Sequence, residues 1–252
     1  APYRGFFDQQ DALDFANLLR EDGLDTYVAG VQAYSTLGWF NDPILSSMLK
    51  SDRFTLARLI FHESAHGRIW IKGDVAFNES FASFVAEQGL AQWLDKLSSQ
   101  GSDLPPVVLG YRKTDWINLK GFLIVLRKEL SSIYTRVNLT SDAVGERKSR
   151  KISEWLSCYE KNKYQLGHGR YDGLVYQSLN NAFLMSLATY SDWVPSFRKI
   201  FEDSKGNWQR FFKEVEALGN LATTERKNRL QALAQHDVAG GSDYEGATKI
   251  QC

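Results

Sequence analysis

Net charge is the first thing this sequence lacks. Thirty Lys plus Arg stand against thirty Asp plus Glu in 252 residues, so the basic footprint that would attract nucleic acid or an anionic membrane is missing, and no nucleic-acid partner is expected. Long hydrophobic runs are missing too. The longest unbroken apolar stretch, Phe122 to Leu126, falls far short of the ~20 residues that a spanning helix needs, so no transmembrane segment is expected in this chain. The two cysteines, Cys158 and Cys252, are too few and too far apart to read as a disulfide framework or a thiolate metal site; they leave the redox compartment open. No charged and apolar leader precedes Tyr3-Arg4-Gly5-Phe6-Phe7. Either a leader has been removed or the chain is part of a longer product. Internal repeats and low-complexity tracts are absent as well.

What is present is the balance of a globular protein with a sizeable core: 43% hydrophobic, 13% aromatic and 24% charged residues. Tyr3 to Phe7 reads as a strand, Asp8 as the cap of a helix ending at Gly23, and Thr26 to Thr36 as a second strand that can pair in parallel with the first. From Asp52 onward the pattern is helical. Asp52 caps a run to about Trp70, Lys72-Gly73-Asp74 makes a turn, and a second helix runs from about Asn78 to Ser99. Helical patterns resume near residues 114–137, 142–162, 172–189, 192–203 and 206–218. The fold class expected is therefore α+β and predominantly α-helical, with a small amino-terminal β-sheet. Pro105 and Pro106 divide the chain into a part over residues 1–103 and a helical part over 104–235, while the Gly-, Asp- and Ser-rich tail over 236–252 is expected to be disordered.

The chemistry is concentrated in His62-Glu63-Ser64-Ala65-His66. On an α-helix the imidazoles of residues four apart stack on one face, within reach of a single ion. A catalytic zinc takes three protein ligands and keeps a position for water, whose pKa it lowers. Glu63 points about 100° away from His62, so it is suited to taking a proton from that water rather than to binding the metal. The plainer reading is a pair of core histidines. The flanking Leu56, Leu59, Ile60, Ile69 and Trp70 make this a partly buried helix, however, and three polar side chains there are costly without a partner. Glu79, in the first turn of the next helix and separated from His66 by residues 67–78, supplies the third ligand. The alternative for Glu79 is an acidic residue favoured there by the helix dipole. Ser83, one turn on, can support the second nitrogen of a histidine or serve as an ordinary core serine.

HESAH followed by NESFA resembles the gluzincin metallopeptidases, in which HExxH and a later Asn-Glu-x-x-Ala helix supply His, His and Glu. The interval between second His and Glu is shorter here than in thermolysin-like enzymes. A closer resemblance is to a bacterial family described as "putative aminopeptidases". It is carried by Pro2-Tyr3-Arg4-Gly5, Ala33-Tyr34-Ser35-Thr36-Leu37-Gly38-Trp39-Phe40, the histidine motif, Lys72-Gly73-Asp74, Phe77-Asn78-Glu79-Ser80-Phe81-Ala82 and Leu179-Asn180-Asn181-Ala182, and it extends to about Phe201. The resemblance implies a zincin-like catalytic part over 1–103, whose cleft residues 104–235 complete, and one Zn2+ held by His62, His66 and Glu79. It also implies hydrolysis of a peptide or protein substrate, as an aminopeptidase, by a zinc-bound water that Glu63 activates. Tyr34 to Phe40 would be a substrate-aligning edge strand. Tyr190, Tyr171 or His168 would face the oxyanion, and Asn180 and Asn181 would bind substrate backbone or pin helices. The location implied is the periplasmic side of a bacterial cell envelope, with a lipid anchor in a longer precursor. Two other readings remain open: an endopeptidase of the same fold, and a zinc-stabilised interaction protein without turnover.

Overall fold

The computed structural model describes residues 3–30, 48–50, 52–100, 106–135, 140–238 and 250. The helix starts follow from their caps. Asp8 accepts from the backbone N–H groups of Gln10 and Asp11 to open α1 (Gln9–Glu21), and Asp52 accepts from Phe54 and Thr55 to open α2 (Arg53–Arg68). Gly23, at φ +78°, adopts the left-handed conformation that ends α1. Asp74 caps α3 (Val75–Ser99) by accepting from Phe77 N. Then come α4 (Pro106–Tyr134), α5 (Ser141–Asn162), α6 (Asp172–Ser178), α7 (Asn181–Thr189), α8 (Val194–Asp203), α9 (Trp208–Gly219) and α10 (Thr223–Val238). The long pattern at 172–189 is two helices because Asn180 interrupts it: its side-chain Oδ1 accepts from Phe183 N and opens α7 anew.

The expected amino-terminal sheet does not form among the described residues. No residue among those described lies in a β-strand, and the architecture is all-α rather than α+β; nothing in it supports a zincin-like fold. The reason is visible in the partners of the two segments read as strands. Residues 3–7 fold back on α1, with the Phe6 and Phe15 rings 5.6 Å apart and the Arg4 guanidinium 4.4 Å from the centre of the Phe15 ring. Their aromatic content serves helix packing instead of pairing. The Thr26 carbonyl accepts from Asn180 Nδ2 at 2.9 Å and Tyr27 packs on Phe183, so a side-chain amide takes the place of a strand neighbour. The remainder of that strand, and the edge strand read at Tyr34 to Phe40, lie outside the described residues.

The chain divides into two compact units. One comprises residues 1–29, 105–187 and 243–252, the other residues 30–104 and 188–242. In the first, Leu119, Leu123, Leu126 and Leu130 form one stripe of α4 buried against Trp155, Tyr159, Val175, Phe183 and Leu184. In the second, Phe77, Phe81 and Phe84 recur at helical spacing along α3 and bury against Phe197, Ile200, Phe201, Phe211 and Val215. Each such side chain stabilises its unit by roughly 1.5–3 kcal/mol.

The last helix, α10, was not among the sequence-predicted ones. Its opening Thr-Thr-Glu-Arg-Lys-Asn-Arg is polar throughout, and its anchors are single residues: fully buried Leu230 and the buried Arg226. It runs to Val238, inside the stretch expected to be disordered, and residues 239–249 lie outside the description. None of the described helices is long and apolar enough to cross a membrane.

Arg226 reaches from α10 to the cap of α3. Its Nε and Nη2 donate to Asp74 Oδ2 at 3.0 and 2.9 Å, and Nη1 donates to the carbonyls of Gly219 and Leu221. With only 5% and 10% of the two side chains exposed, truncating Arg226 leaves a buried carboxylate alone. Arg226→Ala is expected to lower unfolding free energy by about 3–5 kcal/mol, read from urea denaturation. A loss below about 1 kcal/mol, the range of a surface pair, would show that the ion pair does not anchor the cap.

Candidate metal centre

The site is built on the α2–α3 hairpin. Gly73, at φ +81°, turns the chain between the helices, and Asp74 N donates to the Ile71 carbonyl across that turn. Asn78, fully buried, then closes a two-bond ring on Ile71: Ile71 N donates to Asn78 Oδ1 and Asn78 Nδ2 donates to the Ile71 carbonyl, both at 2.8 Å. The helices run back along each other in opposite directions. Phe54 packs on Trp93, and a Cβ at Gly89 would stand 3.2 Å from the Phe61 ring, so the start of α2 meets the middle of α3. The start of α3 consequently meets the end of α2, and Glu79 faces His62 and His66.

The three side chains converge. His62 Nε2 lies 3.2 Å from Glu79 Oε2, His66 Nε2 lies 3.2 Å from His62 Nε2, and His66 Nε2 lies 3.7 Å from Glu79 Oε2. The side chains are 12%, 6% and 15% exposed in the order His62, His66, Glu79. The imidazoles meet edge to face, with centroids 4.8 Å apart and planes at 87°. Burial pushes the Glu79 carboxyl up, but hydrogen bonds to His62 and His66, with the positive charge of the two rings, outweigh it and lower its pKa to about 2. Such a group of potential metal-binding side chains is found among the described residues only here.

Of the residues read from the sequence, His62, His66 and Glu79 are together. Glu63 is half-buried on α2, at the next position from His62. Tyr190 is close: its ring lies 6.2 Å from that of His62, the planes 29° apart. Tyr171 and His168 belong to the other compact unit, their rings against Trp116 and Tyr164 respectively. Asn180 and Asn181 pin their surroundings. Asn180 bonds to Thr26 and Phe183, while Asn181 N donates to Asp25 Oδ2 and its Nδ2 donates to the Tyr134 hydroxyl. Ser83 is buried but does not support His66, whose Nδ1 is buried without a hydrogen-bond partner among the described residues. Sequence reasoning missed Asn78 and Ser80. The available signal was two small polar residues flanking Glu79 between Phe77 and Phe81, positions where burial demands partners.

Two imidazoles and a carboxylate converging on one point form a donor set suited to a divalent metal ion, and to zinc in particular. The chain belongs to the family described as "Putative aminopeptidase", which it matches over residues 1–230. Membership of that family points to a hydrolase of the peptidase class, acting on peptides. No match to the chain is found among curated proteins or among solved structures.

The lowered carboxyl of Glu79 gives a pH signature in metal-free protein. A carboxylate depressed in the folded state contributes stability that is present above its unfolded value of 4.5 and lost as pH falls through about 2. Acid unfolding of metal-free protein is expected to contain this component, and Glu79→Gln to lack it. Identical pH dependence of the two between pH 5 and 2 would contradict the charge pairing.

Proposed function

We propose that this chain is a zinc-dependent aminopeptidase whose ion is held by His62, His66 and Glu79, with Glu63 as general base. The observation that carries this reading is the spacing of the donor atoms. Ligands at ~2.0–2.1 Å around a tetrahedral zinc stand about 3.3 Å from one another, and the three donors here are separated by 3.2, 3.2 and 3.7 Å. Two imidazole nitrogens and a carboxylate oxygen brought this close offer three donor atoms to a common point, an arrangement that a cation would satisfy. The ion, when bound, would supply Lewis-acid activation of water and of the scissile carbonyl.

The protein's own groups do the rest. Glu63, next to His62 on α2 and half-buried, accepts the proton from the attacking water and returns it to the leaving amine. Its place one residue after His62, about 100° around the helix, leaves it outside the ligand set, and the same carboxylate, once protonated, is the acid for the second transfer. Glu79, held as a carboxylate down to about pH 2, retains its charge throughout the range in which peptides are hydrolysed. Tyr190, whose ring lies against His62, is the group assigned to the developing oxyanion, to which its hydroxyl would donate.

The test combines metal content and turnover. The parent chain is expected to hold one zinc, removable by a chelator with loss of hydrolysis and restored by zinc. His66→Ala and Glu79→Gln should lose the metal, whereas Glu63→Gln should keep it and hydrolyse about 10²–10⁴-fold more slowly. Free and amino-blocked peptides offered in parallel decide the mode of cleavage: hydrolysis of free peptides alone supports the aminopeptidase, and cleavage of both reads as an endopeptidase. Zinc without cleavage of any peptide would leave an interaction protein, and a chain without metal would refute the proposal.

A further inference from the structure

The segment between α7 and α8 bears Tyr190, and the structure ties it to the helix that bears Glu79 through one buried hydroxyl. Ser80 is fully buried. Its Oγ donates to the Thr189 carbonyl at 3.1 Å and accepts from Trp193 N at 3.3 Å. Those two groups bracket Tyr190. The Thr189 carbonyl shares a peptide plane with the Tyr190 N–H, so fixing the carbonyl orients the backbone entering Tyr190, and Trp193 N fixes the chain as it leaves. The turn between is closed by Ser191 N and Asp192 N, both donating to the Ala188 carbonyl at 3.0 and 2.8 Å.

On the other side of Glu79, Asn78 makes its pair of bonds to Ile71 in the α2–α3 turn. The two neighbours of Glu79 therefore face different parts of the unit. Asn78 registers α3 against the helix of the histidines, and Ser80 registers it against the turn of the tyrosine. A serine hydroxyl fully buried on α3, between Phe77 and Phe81 in the sequence, would be costly if unsatisfied. Here it donates once and accepts once.

We infer that Ser80 is a positioning residue that sets the place of the Tyr190 ring over His62 by holding both ends of the Tyr190 turn. The part Tyr190 plays in hydrolysis rests on the zinc-peptidase function proposed for the site. The coupling between Ser80 and Tyr190 does not, since it is a property of the protein without metal or substrate.

The experiment reads the coupling directly in the full chain. Four histidines make the imidazole resonances assignable by single His→Asn variants, and the ring current of Tyr190 acts on those of His62. In metal-free protein, Ser80→Ala is expected to shift the His62 ring signals and to weaken their cross-peaks to the Tyr190 ring. Tyr190→Leu should produce a shift of similar size, and Ser80→Ala added to Tyr190→Leu should produce no further shift. Ser80→Cys, close in volume, is the second variant should Ser80→Ala fail to fold, with the same expectation. His62 signals unmoved by either Ser80 variant, or moved equally with and without Tyr190, would overturn the inference.

With zinc and a cleaved peptide, Ser80→Ala is expected to lower kcat on the order of 10- to 100-fold, as a small misplacement of a reacting group does, at unchanged zinc content and KM. Coupling in the resonances without zinc or cleavage would refute the proposed function and leave the positioning role standing. Zinc and cleavage without the coupling would do the reverse.

Discussion

The second compact unit depends on how α2 and α3 are fastened at their turn. Two fasteners meet there. Asn78 donates to and accepts from the backbone of Ile71, and Asp74 caps α3 while it receives the guanidinium of Arg226 from α10. Both devices satisfy polar groups that the surrounding phenylalanines would otherwise leave stranded. Because the turn is fixed, the backbone at Glu79, one residue past Asn78, is held in register with the histidines. A helix pair free to slide by a single turn would move this carboxylate by about 5 Å along the axis, and the donor set would not exist.

The fastening also explains why so many polar residues crowd a short stretch of a largely apolar helix. Asn78, Ser80 and Ser83 are buried within α3 beside Phe77, Phe81, Ala82 and Phe84. Asn78 and Ser80 are paired to backbone groups of other segments, at Ile71 and at Thr189 with Trp193. Glu79 sits between them with its charge directed at two imidazoles. Apolar packing gives this unit its stability, and the few hydrogen-bonded side chains give it one particular arrangement in preference to others equally well packed.

Much of this was legible residue by residue where the cause is local. Asp8 and Asp52 announce their helices by capping chemistry that needs only the next three residues, and the four-residue interval from His62 to His66 fixes a shared face once the segment is helical. No sheet forms among the described residues because the aromatic content of residues 3–7 and of Tyr27 is equally compatible with packing onto helices; Phe6 on Phe15 and Tyr27 on Phe183 are that alternative. α10 has no repeating apolar stripe to mark it because its anchors are Leu230 in the core and Arg226 paired with Asp74, a partner no periodicity within 223–238 reveals.

By itself the sequence determined that two histidines would share a helix face with a glutamate beside them, that a Gly-Asp turn would come next, and that a second acidic residue would stand early in the next helix. These are consequences of helical periodicity and capping, which act over a few residues. Only the tertiary structure decided that Glu79 closes on the histidines at ligand spacing, that the Tyr190 ring lies against His62, and that Asn78 and Ser80 hold those two relations. Each joins residues that the chain carries apart, by 7 positions from Ile71 to Asn78 and by 113 from Ser80 to Trp193. Their pairing is selected by burial and by the need to satisfy buried polar groups, which are properties of the packed chain and not of any segment alone.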